Sequence, residues 1–278
     1  MSTYFTGRRD PQRGGYVEQD DYAYIQPLYD SVLRQGLACI IFYDQLAPEF
    51  VAKYATGKIK FVQSSLGAYS LNDDRYFIFY EYLLRFGGQF KRVLLSDVSD
   101  VVVRASPFTL LEGREQKLFL GRSNIELIRH HHVKYTRIAR FREDSGIDPP
   151  PAFYNMRLFN AGTVMASRPT LIYLLRQMIA CFLVAPTDRN HNMTILNYCV
   201  FRYFLEEPRL TPPNLLGLRR VALKTNMMLE AKTGLSLLPA RYLHDNSNYE
   251  TEALFAGFPF TSAFKKFELD STACLIHK

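Results

Sequence analysis

The sequence predicts an α/β fold, a single domain whose mostly parallel sheet is flanked by helices. Three observations carry this. Short apolar runs alternate with segments of helical spacing along most of the chain, the order that builds parallel sheets. One run, Ala38–Tyr43, is apolar throughout, as in a strand buried on both faces. The chain has 278 residues, 47% hydrophobic and 22% charged, enough for one substantial core.

In chain order, Thr3–Thr6 reads as a first strand and residues 7–20, rich in Gly and Arg, as a loop. Gln26–Gln35 has helical spacing through Leu28 and Val32 and stops at Gly36. After the Ala38–Tyr43 strand come a short helix, Pro48–Tyr54, and a strand, Lys58–Gln63. Asn72–Phe86 reads as a helix with Asn72 as N-cap, Asp73 and Asp74 in its first turn, and Gly87-Gly88 beyond its end. Arg92–Leu95 is a buried strand leading to Asp97. Further on, Lys117–Gly121 and Leu158–Ala166 read as strands, Thr170–Leu183 and His191–Leu205 as helices. Arg140–Pro151, with three consecutive prolines, reads as a surface loop, and residues 250–278 as a peripheral tail.

Composition narrows the function. A net charge of +7 and a pI near 9.2 permit an anionic ligand or peripheral contact with an anionic membrane surface, without indicating nucleic acid. No apolar run approaches the roughly 20 residues of a transmembrane helix. The first residues are polar and lack the apolar core of a signal peptide, so a cytoplasmic location is expected. Cys39, Cys181, Cys199 and Cys274 are scattered, three of them in apolar segments, which reads as free thiols rather than a disulfide framework.

The segment Lys91–Val103 holds the chemistry. Asp97 and Asp100 leave the end of a buried strand, where ligands bind in open α/β sheets. Two carboxylates there can share a hard divalent ion, Mn²⁺ or Mg²⁺, which can neutralise a diphosphate. Alternatively, Asp97 caps a turn and Asp100 is a surface acid. Around this pair the sequence resembles glycosyltransferases of the GT-A fold, which is Rossmann-like. Their "DxD" motif follows a buried strand and precedes a second apolar run, here Val101–Val103 and then Ser106-Pro107-Phe108. This chain departs from the pattern by one residue, D-x-x-D for D-x-D.

The resemblance, glycogenin- and galactosyltransferase-like, implies further roles. Arg75, on the helix before the metal strand, would reach the donor sugar or diphosphate with its planar fork; otherwise it is an exposed helix Arg. Phe159-Asn160-Ala161-Gly162 is similar to the family's "FNxG" strand, where Asn160 would hold sugar hydroxyls and Gly162 would admit the substrate; a bulge is the other reading. Aligning Ile195-Leu196-Asn197 puts Asn192 and Met193 in the family's "DQ" slot, so the usual carboxylate is missing. Asp188, one helical turn upstream, is the candidate to replace it as base. His244 resembles the late His that serves as third metal ligand, and Thr6, Gly7 and Arg8 would contact the nucleotide by fold analogy. The run His130–His132 reads as a loop.

The implied activity is transfer of a sugar from a nucleotide-sugar donor (UDP- or GDP-linked) to a hydroxyl of a carbohydrate acceptor, with Mn²⁺ or Mg²⁺. Three other classes compete. A haloacid-dehalogenase phosphatase needs D-x-D-x-T/V, which Val98-Ser99 breaks. A nucleotidyltransferase forming nucleotide sugars should carry a Gly-rich basic loop, of which Thr6–Arg9 is a partial echo. A non-catalytic carbohydrate-binding module of the same fold also remains open.

Overall fold

The computed structural model describes residues 1–126, 133–205, 251–256 and 274–277. Three strands, β1 (Ser2–Tyr4), β2 (Cys39–Tyr43) and β3 (Ile59–Gln63), form a parallel sheet in that order. Helices α1 (Tyr22–Arg34) and α2 (Pro48–Tyr54) make its crossovers. Asp21 caps α1 by accepting the Ala23 N–H, and Gly36 turns the chain beyond it at φ +65°. Helix α3 (Leu71–Phe86) then leads to β4 (Arg92–Ser96) and β5 (Val101–Val103). The remaining elements are β6 (Leu118–Glu126), α4 (Ala139–Ser145), β7 (Arg157–Ser167), α5 (Arg168–Val184), α6 (Asn192–Val200), β8 (Thr251–Ala256) and β9 (Leu275–His277).

β4, β7, β6 and β8 form a second sheet in that order. It adjoins the first. Met1 donates to the Leu94 carbonyl at 2.6 Å, its own carbonyl accepts the Ser96 N–H at 3.0 Å, and Ser2 Oγ donates to the Ser96 carbonyl. Strand β4 therefore lies beside β1, on the side away from β2, and the strand order reverses between them. A doubly wound sheet opens its ligand crevice at such a switch point.

Alternation within the strands shows that both faces are covered. Ile40, Phe42, Val93, Leu95, Leu118, Leu120, Val164 and Ala166 join one core with residues of α3, α5 and α6. Their neighbours Cys39, Ile41, Leu94, Phe119 and Met165 join another with residues of α1 and β5. Each core draws on strands of both sheets, as the two-residue period of a strand requires when neither face meets water. Among the described residues no helix is long and apolar enough to cross a membrane.

The α/β class matches the expectation, but the mostly parallel sheet needs correction. Parallel pairing holds for β1/β2, β2/β3 and β6/β8, whereas β4/β7, β6/β7 and β5/β9 are antiparallel. Strands buried on both faces are apolar in either direction, so composition does not report their polarity. The N-cap of α3 is Ser70, whose Oγ accepts the Asp73 N–H, rather than Asn72. The expected loop 140–151 begins as helix α4, closed by Gly146 at φ +69°. Residues 250–278 are not wholly a tail: β8 pairs with β6 and β9 with β5. Cys39, Cys181 and Cys199 are buried free thiols and Cys274 is partly buried.

Candidate functional site

The register of β4 against β7 builds the centre of the site. Ser96 lies opposite Thr163, and one residue later the Asp97 N–H donates to the Gly162 carbonyl at 2.9 Å. Val98 then turns into the core, 3% exposed, and Val101 starts β5 fully buried. With Val98 and Val101 anchored inward, Asp97 and Asp100 are left on the same cleft. The extra residue of D-x-x-D is thus absorbed by a two-residue turn between two short strands. β5 pairs with β9 so that Val101 faces His277, which brings that imidazole beside Asp100.

Asp97, Asp100 and His277 each offer a ligand atom, all within 4.8 Å of one another. His277 Nε2 stands 3.4 Å from Asp97 Oδ2 and 3.7 Å from Asp100 Oδ2. Oxygens held about 2.1 Å from one Mg²⁺-sized ion stand about 3 Å apart at right angles, so a small closure would bring the three onto a cation. Asp100 Oδ1 and His277 Nδ1 are buried and lack partners among the described residues. Two carboxylates and an imidazole suit Mn²⁺ or Mg²⁺, and Mn²⁺ better because of the nitrogen. The donor set therefore fits the expected ion, with His277 as its imidazole.

Arg75 sits on α3, only 6% exposed, so it is not a surface arginine. One Nη forms an ion pair with Asp97. The other donates to the Ala161 carbonyl and to Tyr76 Oη, both at 3.2 Å. The fork thus holds the first acid in place from behind, and Arg75 also lines the cleft. Burial alone would raise the Asp97 carboxyl, but Arg75 and His277 outweigh it and hold that carboxyl well below the usual range. Burial likewise opposes the charged form of His277, yet the bonds to Asp100 and Asp97 push it up to about 10.

Gly162 admits this cluster. A Cβ there would stand 2.5 Å from both Asp97 Oδ2 and His277 Nε2. Asn160 Oδ1 accepts the Gly162 N–H at 2.8 Å, while its Nδ2 has no hydrogen-bond partner among the described residues and lies on the cleft wall. One atom of Asn160 thus supports the strand, and the other is left facing the cleft wall. Asn192 and Met193 reach the same wall from the start of α6. Asn197 fixes α6 there, its amide exchanging two 2.8 Å bonds with the Phe159 backbone and donating a third to the Met193 carbonyl.

Other expected residues stand elsewhere. Thr6 and Gly7 spend their N–H groups on Asp44, at 2.9 Å each, and Arg8 is bonded to Asp74 and to the Gly67 and Tyr69 carbonyls. Gly7 and Arg8 line a second cleft, at the ends of β1–β3, with Gln45, Gln63 and Ser64. Helix α6 begins at Asn192, so Asp188 does not share a helical face with it. Asp188 is exposed and lines another cleft with Arg9 and Ser70. Its expected place beside Asn192 is therefore corrected: a turn, not a helix, separates the two. His244 and His130–His132 lie outside the described residues.

Several site residues carry little local signal. His277 reaches the cleft only through a long-range pairing, although the run Cys274-Leu-Ile-His277 has strand character. Asp10 joins the wall from the loop after β1, its Oδ1 accepting the Gln12 N–H and Asn72 Nδ2. Asp73 lies buried beneath the start of α6, accepting the His191 N–H, and burial is the main reason its pKa rises to about 7. No protein-family model matches the sequence, and no curated protein is detectably similar to it.

Proposed function

We propose that the chain is a glycosyltransferase that moves a sugar from a UDP- or GDP-linked donor to a hydroxyl of a carbohydrate acceptor. The observation that carries this reading is the convergence of Asp97, Asp100 and His277 at the switch point of the sheet, beside Asn160 and Gly162. Asp97, Asp100 and His277 would hold Mn²⁺ or Mg²⁺, which when bound supplies positive charge against the donor diphosphate.

The chain's own groups do the rest. Arg75 keeps Asp97 ionised and oriented, so no reorganisation is needed when the donor arrives. Asn160 and Asn192, both on the cleft wall, would bond sugar hydroxyls. The cleft of Gly7 and Arg8 lies on the same carboxyl edge of the sheet and would take the nucleoside. An acceptor hydroxyl that attacks the anomeric carbon must lose a proton. Asp10 is the carboxylate on the described wall outside the metal-binding trio and is the base in this scheme.

The test is donor hydrolysis, which needs no identified acceptor. UDP- and GDP-sugars should release free sugar with Mn²⁺ and not with EDTA, and Asp100→Ala should abolish the release. If calorimetry finds no UDP or GDP binding in the presence of Mn²⁺, or equal binding by Asp100→Ala, the reading fails.

A further inference from the structure

Arg137 lines the same cleft as the three metal-binding side chains. It belongs to a π-helical turn, Val133–Ile138, which feeds α4 and packs against α6. Such turns are rare and recur at functional sites. Arg137 is partly buried and has no hydrogen-bond or ion-pair partner among the described residues. Burial, followed by repulsion from Arg140 one turn further on, lowers its pKa.

The described acids of the α4 segment are engaged with other partners. Asp148 pairs with Arg142 at 2.9 Å, Glu143 with Arg189 at 3.1 Å, and Asp144 with both Arg189 and His191. Elsewhere on the cleft Asp97 is paired with Arg75, and Arg13 is engaged with Ser99, Asp10 and the Tyr24 ring. A guanidinium drawn partly out of water without a counter-charge is unfavourable until an anion reaches it. The donor diphosphate already has counter-charges in an ion held by the trio at the ends of β4, β5 and β9. Arg137 instead marks the wall formed by the π-helical turn and α6.

We infer that the acceptor is anionic, a sugar acid or a sugar phosphate whose charged group is bound by Arg137. The inference rests on the glycosyltransferase reading for the word acceptor, but the anion site itself does not. It is tested by ligand-observed NMR with glucuronate, glucose 6-phosphate and glucose, each with and without UDP and Mn²⁺. Both anions should bind at least tenfold more tightly than glucose, and their relative affinities report whether carboxylate or phosphate is preferred. Arg137→Gln should erase the margin and Arg137→Lys should keep part of it. UDP with Mn²⁺ should leave glucuronate bound. Equal binding of glucose, a full margin in Arg137→Gln, or displacement of glucuronate by UDP–Mn²⁺ would each overturn the inference. If the anions bind through Arg137 while UDP does not bind at all, the anion site stands and the glycosyltransferase reading falls.

Discussion

Gly162→Ala probes the site with a single methyl group. The new Cβ would lie 2.5 Å from Asp97 Oδ2 and His277 Nε2, where ordinary contact begins at 3.4 Å. Both groups must give way by about 1 Å, an overpacking displacement costing about 1–3 kcal/mol. Asp97 keeps 28% of its side-chain surface open to the cleft, so the strain has an outlet and the fold should survive. Backbone conformation adds nothing, because Gly162 is not among the glycines at positive φ. The consequence falls on the ligand set, and Mn²⁺ affinity measured by calorimetry should drop about tenfold to hundredfold, the range for a disturbed supporting shell. Gly88→Ala is the control, since its Cβ would meet nothing within 4 Å. Wild-type Mn²⁺ affinity in Gly162→Ala would refute the placement of the ion between Asp97 and His277.

Three other outcomes are expected. Asp10→Asn should lower transfer at least a hundredfold while Asp188→Asn stays within twofold, because only Asp10 lies on the cleft wall; the reverse ranking in initial rates would return the base to Asp188. Asn197→Ala strands the buried N–H and C=O of Phe159 and should cost about 2–4 kcal/mol in urea unfolding, so a loss below about 1 kcal/mol would show that α6 is held otherwise. For Asp73 the folded carboxyl titrates at about 7, above its unfolded value, so its contribution to stability falls as pH rises from about 4 to 7 and stays low above that. Arg75, the Ser70 hydroxyl and the backbone of His191 and Asn192 face it and only partly oppose burial. Asp73→Asn keeps an acceptor for the His191 N–H and loses the titration. It should gain up to about 4 kcal/mol over wild type on going from pH 4 to pH 8, and parallel pH–stability curves would contradict this.

Local pattern reached part of this architecture. Ala38–Tyr43 and Arg92–Leu95 were legible because strands covered on both faces must be apolar throughout, and Asp97 and Asp100 stood out because acids end such a strand. Asp21 and Ser70 are ordinary capping residues, but the helical spacing through Leu28 and Val32 starts α1 only at Gln26, and Asn72 is an equally good cap two residues after Ser70. The strand directions in the second sheet were not legible, since β6 and β7 would be equally apolar if parallel. His277 was beyond reach for another reason. Its position is set by the register of β9 on β5, and nothing in a three-residue strand names its partner. Arg75 stands out on its helix, but its pairing with Asp97 joins α3 to the end of β4 across 22 residues, which spacing does not encode.

β9 is a three-residue strand with one partner of equal length, and such a ribbon is marginal by itself. Among the described residues it is further held by Leu275, in the core, by His277, at the acids, and by the Cys274 carbonyl just before it, which accepts the Arg104 N–H. Any ion shared by His277 and the two aspartates would therefore act as a fastener for the distant end of the chain. Its binding energy would appear as slowed hydrogen exchange of the β9 amides, growing with the logarithm of free ion concentration above the dissociation constant. The same coupling runs backwards: opening of β9 removes a ligand, so ion release and local unfolding would be one event seen by two probes.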